Sequence, residues 1–227
     1  MILGCCGSLW TAHAQDRPYS ISVLGTYTTS SKLFHHPNDP DELLRSEFLP
    51  LDDIFSFGLD ARKSFDAIRL QVGVSLEYLR RTDLFDLPTG NTTLTVRDGF
   101  AVYPLEVTGY FLIPVGSDQV RFYMGGGGGM YIGERIYEYN AVAAKPTEHP
   151  PGFGIHIVSG IEYFLNPVVS LRGELKFRDV QFETTNRFPP NAVLSDPNFA
   201  LVGGTQPFQS RINIDGMTMN IGLAFHL

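Results

Sequence analysis

The sequence predicts an all-β protein, an eight-stranded antiparallel up-and-down transmembrane β-barrel. Three observations predict it: apolar and polar residues alternate along eight segments, long and short connections alternate between these segments, and the last residues form an amphipathic strand. No run of about 18 apolar residues is present, so the sequence does not predict a transmembrane helix. A barrel needs only one apolar face per strand, which is compatible with a hydrophobic fraction of 43%.

Composition and charge narrow the classes of function. The chain has 227 residues, which suits a single domain. Its formal net charge of -7 offers no basic excess for phosphate groups, so we expect no nucleic-acid partner. The sequence contains no motif for a metal or for another cofactor, and we expect neither.

The first fourteen residues are predicted to be a signal peptide. Residues 1–14 carry no charged side chain, and they end with small residues at Ala12 and Ala14, the pattern of a cleavage site. The basic n-region is missing, which indicates a truncated start. Cleavage after Ala14 would leave residues 15–227 as the barrel. It would also remove Cys5 and Cys6, and with them any disulfide or thiolate site.

A lipoprotein signal is the alternative for this segment. Residues 2–5 read Ile-Leu-Gly-Cys, which resembles a lipoprotein box. Almost no hydrophobic region precedes Cys5, so a cleaved secretory signal is favoured.

Eight segments have the two-residue period of β-strands. The connections that follow them alternate strictly in length, and in a barrel the short turns face the periplasm while the long loops face outside. We therefore expect both termini on the periplasmic side. The predicted strands are 18–28, 54–63, 67–79, 100–113, 119–137, 152–164, 168–182 and 213–226; the long loops are 29–53, 80–99, 138–151 and 183–212; the short turns are 63–66, 114–118 and 165–167.

Charged residues on one face of each strand predict the content of the lumen. In 169–178 one face is apolar, and the other carries four charged residues, among them Arg172 and Lys176. Each Arg or Lys facing lipid near the midplane would cost about 2–4 kcal/mol, so this face must look into the barrel. An eight-stranded barrel is narrow, and such side chains would fill it as a plug. The predicted lumen network is Asp60, Arg62, Arg69, Glu77, Glu106, Arg121, Glu162, Arg172, Glu174, Lys176 and Arg178.

A soluble barrel of the lipocalin type is the alternative architecture. It has eight strands as well, with apolar residues inside and polar residues outside. Alternation alone does not say which face is the inner one. The charged clusters and the loop asymmetry favour the membrane version.

The last residues match an outer-membrane assembly signal. Residues 217–227 alternate in polarity, and the pattern of a polar residue, a glycine and two large apolar residues is met at Asn220, Gly222, Phe225 and Leu227. Leu227 departs from the pattern, in which a terminal aromatic residue is more usual. We expect this segment to be read by the outer-membrane assembly machinery.

The sequence resembles the outer-membrane protein β-barrel domain family, which includes OmpX-like and OmpW-like small barrels. The resemblance covers nearly all of 16–227, and it rests on residues 104–114, 121–125, 129–131, 160–164 and 171–178. It implies the barrel architecture, but it is not specific for an activity, since such barrels serve as adhesins, small channels, structural anchors and a few lipid-modifying enzymes.

Two other motifs suggest chemistry. Gly125–Gly129 lacks the Gly-Lys-Ser/Thr ending of a phosphate loop, and we interpret it as a place where a strand bends and leaves lumen volume for Tyr123 and Tyr131. His35 and His36 with Asp39, Asp41 and Glu42 could hold a divalent cation, although Pro37 and Pro40 favour an irregular surface loop.

An enzyme of the outer leaflet would need a histidine, a serine and an acid at the outer rim. His35, His149 and Ser195 lie in predicted external loops, but nothing in the sequence brings them together. We do not expect an enzyme.

The leading functional prediction is an integral protein of the Gram-negative outer membrane with a structural or surface-interaction, adhesin-like role. A narrow, porin-like channel for small solutes is the first alternative, and an enzyme that modifies lipid A is the second. Expected partners are outer-membrane lipids, lipopolysaccharide and an extracellular partner of unknown identity. We expect a monomer.

Overall fold

The strands occupy most of the chain in a computed structural model, which describes residues 17–89, 92–191, 197–202 and 204–227. The predicted cleavage site lies outside these residues. A short helix, α1, spans Glu42–Ser46, and 3₁₀ turns span Asp66–Ile68 and Pro197–Val202. The described strands are β1 (Tyr19–Thr28), β2 (Lys32–Phe34), β3 (Phe48–Pro50), β4 (Ile54–Phe65), β5 (Leu70–Thr89), β6 (Thr92–Ser117), β7 (Val120–Tyr139), β8 (Val142–Ala143), β9 (Lys145–Glu148), β10 (Gly152–Phe164), β11 (Val169–Arg187), β12 (Phe208–Ile214) and β13 (Met217–His226).

Eight of these strands close a ring of antiparallel pairs. The order around the ring is β1, β4, β5, β6, β7, β10, β11, β13 and back to β1. The closing pair runs from Ser20 opposite His226 to Thr28 opposite Thr218. The predicted eight-stranded up-and-down barrel is confirmed. No helix in the described part of the chain is long and apolar enough to cross a membrane.

The outer surface of the ring is apolar around its lower half, the half nearest the chain termini. Phe57 is 77% exposed and Ile155 is 70% exposed, and other large apolar residues, among them Leu59, Val74 and Leu175, are exposed on the same surface. The inward positions of the same strands carry charged and hydroxyl side chains. Soluble barrels have the opposite arrangement, so this apolar belt faces lipid. The soluble alternative is wrong.

Above the belt, the apolar residues of continuous strands point into the barrel and the polar residues point outward. On β11 the outward positions pass from apolar Phe177 to Asp179, while the inward positions pass from Arg178 to Val180 and Phe182. Strand β5 makes the same change between Tyr78 and Leu79. The solvent outside the wall therefore changes from lipid to water at this level. The part of the barrel beyond this level is an extension with a largely apolar interior, on the side of the long loops, which in outer-membrane barrels is the extracellular side.

All four predicted long loops contain strands of this extension. The predicted loop 80–99 is wrong, because β5 and β6 continue through it as a hairpin. Within 138–151 lie β8 and β9, and 183–212 includes the end of β11 and the start of β12. The predicted strand 213–226 is interrupted, since β12 ends at Ile214 and β13 begins at Met217. The first loop, 29–53, contains β2, α1 and β3.

Close contacts inside the barrel explain the inward-facing glycines of the run in β7, Gly125, Gly127 and Gly129. A β-carbon at Gly127 would lie 1.9 Å from the carbonyl oxygen of Val107 on β6. On β10, a β-carbon at Gly160 would lie 2.5 Å from Cζ of Tyr123. Neither position has room for a side chain, and the space is taken by the neighbouring strand and by the tyrosine ring. The run lies inside a strand, so it is not a phosphate loop.

Candidate functional site: a sealed lumen and an extracellular pocket

Arg172 on β11 lies at the centre of the lower lumen. Its Nη1 donates to Ser22 Oγ at 2.6 Å and to Asp60 Oδ1 at 2.9 Å, and its Nη2 donates to Glu162 Oε1 at 2.8 Å. The partners belong to β1, β4 and β10, so the guanidinium of Arg172 on β11 connects four strands of the barrel. Arg172 is 0% exposed, which means that no water-sized space adjoins it.

A second group of ion pairs lies beside it, around Glu174. Arg62 Nε donates to Asp60 Oδ1 at 2.6 Å, and Arg62 also pairs with Glu174. Tyr123 donates its hydroxyl to Glu174 at 2.7 Å, and Asn220 Nδ2 donates to the other carboxylate oxygen at 3.0 Å. Asn220 belongs to the last strand, so the closing strand is tied to the lumen as well as to its neighbours.

A third group surrounds Glu106 at the top of the lipid belt. Lys176 Nζ lies 2.6 Å from Glu106 Oε2, and Tyr131 donates its hydroxyl to Glu106 Oε1 at 2.5 Å. Arg178 pairs with Glu77 and lies 3.0 Å from Glu106. Buried charges are tolerated when they are paired in this way, whereas a single unpaired one is very costly.

The structure places all of the predicted lumen residues except Arg69 inside the barrel or at its mouth. Arg69 is wrong: it lies in the exposed turn before β5 with φ 52°, because the strand begins one residue later, at Leu70. Arg121 is at the periplasmic mouth, half-exposed and 3.6 Å from Glu162. The remaining residues make a plug of equal positive and negative charge: Arg62, Arg121, Arg172, Lys176 and Arg178 with Asp60, Glu77, Glu106, Glu162 and Glu174.

An apolar layer seals the lumen above these ion pairs. Its members come from seven strands and from the segment between β3 and β4, and nearly all are fully buried. The layer consists of Leu33, Leu51, Ile54, Leu79, Phe100, Val102, Tyr131, Val180, Phe182, Ile212 and Ile214. An ion on the barrel axis would have to cross a charged plug and then this layer, and desolvation opposes the second step strongly.

A buried ion pair between Arg135 and Asp98, joined by His35 in a polar triad, lies in the extracellular extension above the apolar layer. Arg135 on β7 donates through Nε to Asp98 Oδ1 at 2.7 Å and through Nη1 to Ser210 Oγ at 2.6 Å. His35 Nε2 donates to Asp98 Oδ2 at 2.9 Å. The guanidinium also stacks on Tyr137, 4.3 Å from the ring centroid. Sequence reasoning did not single out Asp98 or Arg135, because they fall in segments predicted as loop or as ordinary strand.

Two members of the triad, His35 and Arg135, line a half-open cavity of about 490 Å³. Most of its lining is apolar and is contributed by the first loop, the β5–β6 hairpin, β7, the Pro197–Val202 turn and β12. The lining residues are His35, His36, Glu47, Phe48, Leu49, Phe85, Leu87, Arg135, Tyr137, Leu201, Val202 and Phe208. This pocket can take an apolar group of moderate size.

Asp98 lies above the lipid belt, and the groups around it shift the pKa of its carboxyl group. Burial would raise the pKa of Asp98, but the Arg135 guanidinium and the hydrogen bond from His35 outweigh it, so the pKa lies below its usual value. Because the pKa of Asp98 is lower in the folded protein, its ionisation stabilises the fold at pH values above the unfolded pKa of about 3.9. This contribution is lost as the pH falls through the pKa of the folded protein.

We therefore expect the Asp98 carboxylate to stay ionised at pH 5. The measurement is the ¹³C shift of the Asp98 carboxyl carbon by NMR between pH 7 and pH 3, with Asp98→Asn to assign the signal. A titration midpoint above about 4 would contradict the geometry of the triad.

Two of the three candidate catalytic residues, His35 and His149, are among the described residues. His35 is hydrogen-bonded to Asp98, His149 is exposed beside the end of β9, and Ser195 lies outside the described residues. In the first loop, Asp39 accepts from the Asp41 amide at 2.9 Å, and Asp41 caps α1. Among the described residues no group of three or more His, Cys, Asp or Glu is arranged to hold a metal ion.

The predicted assembly signal has a structural role at the closing seam. Asn220 points inward to Glu174, while Phe225 and Leu227 lie on the apolar outer face. A β-carbon at Gly222 would lie 2.0 Å from the carbonyl oxygen of Val23 on β1. The glycine therefore permits the close approach of the strands that complete the ring. Recognition of the segment by the assembly machinery stays a prediction.

Solved structures of outer-membrane proteins have a similar fold. The outer membrane protein OprG from Pseudomonas aeruginosa superposes with a TM-score of 0.61 at 15% identity, over 93% of this chain and 96% of OprG. The fold is that of small outer-membrane β-barrels. Neisserial surface protein A superposes with a TM-score of 0.51 at 10% identity, over 92% of this chain and 97% of the other. No protein-family model and no curated protein matches the chain.

At these identities the similarity concerns the fold. The resemblance to small outer-membrane barrels is thus confirmed as a statement of architecture. The apolar belt around a polar lumen places the barrel in a bilayer, and the outer membrane is where proteins of this fold reside. The protein is an outer-membrane β-barrel.

Proposed function

We propose that this barrel is a non-conducting surface-contact protein of the outer membrane, whose extracellular pocket receives an apolar group of its partner. The observation that carries the proposal is the position of the pocket directly above a sealed lumen. The plug and the apolar layer close the axis, so the pocket ends inside the extracellular extension. A site that is open only to the outside serves binding at the cell surface.

The surroundings of the pocket suit contact with another molecule. Its walls carry Phe48, Phe85 and Phe208, and such rings provide large contact area at low entropic cost. Leu43 and Leu44 of α1 are exposed beside the wall that the first loop contributes. In this proposal the barrel does no catalysis, and lipopolysaccharide surrounds the extension without filling the pocket.

Two measurements test the proposal. In planar lipid bilayers the purified protein should give no discrete conductance steps, whereas the solute-channel alternative requires them. For the pocket, Leu201→Trp adds a fluorophore to its wall, and Trp10, the natural tryptophan, falls within the predicted signal peptide. Quenching of this fluorescence by 4-bromobenzyl alcohol should saturate.

A matched control separates binding from collision. Leu84 lies on the outer face of the same extension and is 65% exposed. Quenching of a Leu84→Trp variant should rise linearly with the concentration of the alcohol. Linear quenching of both variants, or discrete conductance of the unmodified protein, would overturn the proposed function.

A further inference from the structure

The His35 ring lines the pocket and uses one of its two nitrogens inside the protein. Its Nε2 donates to Asp98 Oδ2 at 2.9 Å, and the Asp98 side chain is fully buried. The His35 side chain is 26% exposed and lines the cavity. Within the described part of the chain, His35 Nδ1 forms no hydrogen bond, and it is not an enclosed atom. This nitrogen is therefore available to a ligand.

The surroundings of Asp98 decide which nitrogen of His35 holds the proton. Arg135 donates to Asp98 through Nε at 2.7 Å and also pairs with it through Nη2. The guanidinium keeps the carboxylate ionised, and an ionised carboxylate can only accept hydrogen bonds. In the neutral form of His35 the proton is then held on Nε2, which leaves Nδ1 as an acceptor. Arg135 and Asp98 thus act as positioning residues for this acceptor.

The other polar side chains among the described lining residues do not provide an equivalent acceptor. Arg135 can only donate, and the Tyr137 hydroxyl can donate or accept, so neither selects for a donor. His36 and Glu47 are exposed, and a hydrogen bond formed there replaces one to water. His35 differs from these four because its ring is held by a buried ion pair.

Aromatic rings form much of the rest of the lining. Phe48, Phe85 and Phe208 line the cavity, and Tyr137 packs edge-on against Phe208 with the ring centroids 5.4 Å apart. Aromatic rings pack favourably against one another in offset and edge-to-face arrangements. The lining therefore favours an aromatic group over an aliphatic group of the same size.

We propose that the pocket receives an aromatic side chain with a hydrogen-bond donor on its rim, as in tyrosine or tryptophan, and that His35 Nδ1 accepts this hydrogen bond. The inference rests on the proposed function and names the chemistry of the partner, a protein or peptide that presents such a side chain. Phenylalanine and aliphatic side chains lack the donor and bind less tightly. His35 is a specificity-determining residue of the pocket.

Two probes that differ in the donor test this role in the Leu201→Trp protein at pH 8. 4-Bromophenol has a hydroxyl hydrogen, and 4-bromoanisole has a methyl group in its place. His35→Phe keeps a ring in the wall and removes the acceptor, while Arg135 still pairs with Asp98. It should weaken the saturable quenching by 4-bromophenol about fivefold and leave that by 4-bromoanisole within about twofold. Each probe is compared with itself, so its partition into detergent cancels.

His36→Phe is the matched control, because His36 lines the same pocket and its ring neighbours that of His35. It should leave the affinity for both probes within about twofold. An equal loss for both probes in His35→Phe would mean that His35 only shapes the wall, and it would overturn the inference. Saturable quenching that His35→Phe leaves unchanged overturns the inference and leaves the proposed function. Linear quenching by both probes without either substitution overturns the pocket itself, and the inference with it.

Nitrogen-15 NMR of the His35 ring gives a readout that a purely structural role would not move. In the free protein at pH 8, Nε2 should have the shift of a protonated nitrogen and Nδ1 that of an unprotonated one, with His35→Phe to assign the signals. 4-Bromophenol should shift the Nδ1 signal, and 4-bromoanisole should not. A ring protonated on Nδ1 in the free protein would contradict the proposed acceptor.

Discussion

Replacing Arg172 with methionine is expected to lower the free energy of unfolding by about 3–5 kcal/mol. The guanidinium is fully buried and pairs with Asp60 and Glu162, and methionine would leave both carboxylates without this partner in the lumen. The cost of the substitution comes more from the excess negative charge left in the buried plug than from the lost contacts. Urea unfolding of the folded barrel in detergent, followed by its gel migration before and after boiling, measures it.

Arg97→Met is the control for this measurement. Arg97 pairs with Glu138 at 3.0 Å on the surface of the extension, where water solvates whichever charge remains. Its loss should cost at most about 1 kcal/mol. Adding Glu162→Gln to Arg172→Met should recover part of the loss, since one stranded charge disappears. Equal destabilisation by Arg172→Met and Arg97→Met would show that the lumen is hydrated.

The strands of the lipid belt were predictable because one physical rule governs them. Lipid outside and a narrow polar lumen inside produce alternation of a constant sense, and it assigned Glu106, Arg172 and Lys176 to the lumen correctly. Arg69 fell on the wrong side because it continues the alternation by one position into a turn. Nothing in its neighbours marks where the backbone leaves the strand.

The extracellular extension was mistaken for loops because the sense of alternation changes there. At Leu79–Arg80 the large apolar residue points inward and the charge outward, opposite to Leu76 and Glu77 below. A search for one constant pattern stops at this junction. The triad of Asp98, Arg135 and His35 was out of reach for a second reason, since it joins residues from three distant segments through contacts between side chains.

A charged residue introduced on the lipid-facing surface should lower the free energy of unfolding, even though the side chain there has no protein neighbour to clash with. Val74 lies on the outer face of β5 within the belt and is 48% exposed. For a water-facing residue, Val74→Arg would change stability by no more than about 0.5 kcal/mol. Facing hydrocarbon, the same change should cost about 2–4 kcal/mol. Urea titration of the barrel refolded into lipid vesicles measures the difference.

The same strand provides the control, because it continues from lipid into water. Leu84 lies on the same side of β5, ten residues beyond Val74, and Leu84→Arg should be nearly neutral. The contrast between the two variants locates the outer boundary of the bilayer between them, where Tyr78 gives way to Arg80. If both arginines were tolerated equally, the apolar belt would have to be covered by something other than lipid. The inverted alternation along β5 would then not mark a change from lipid to water.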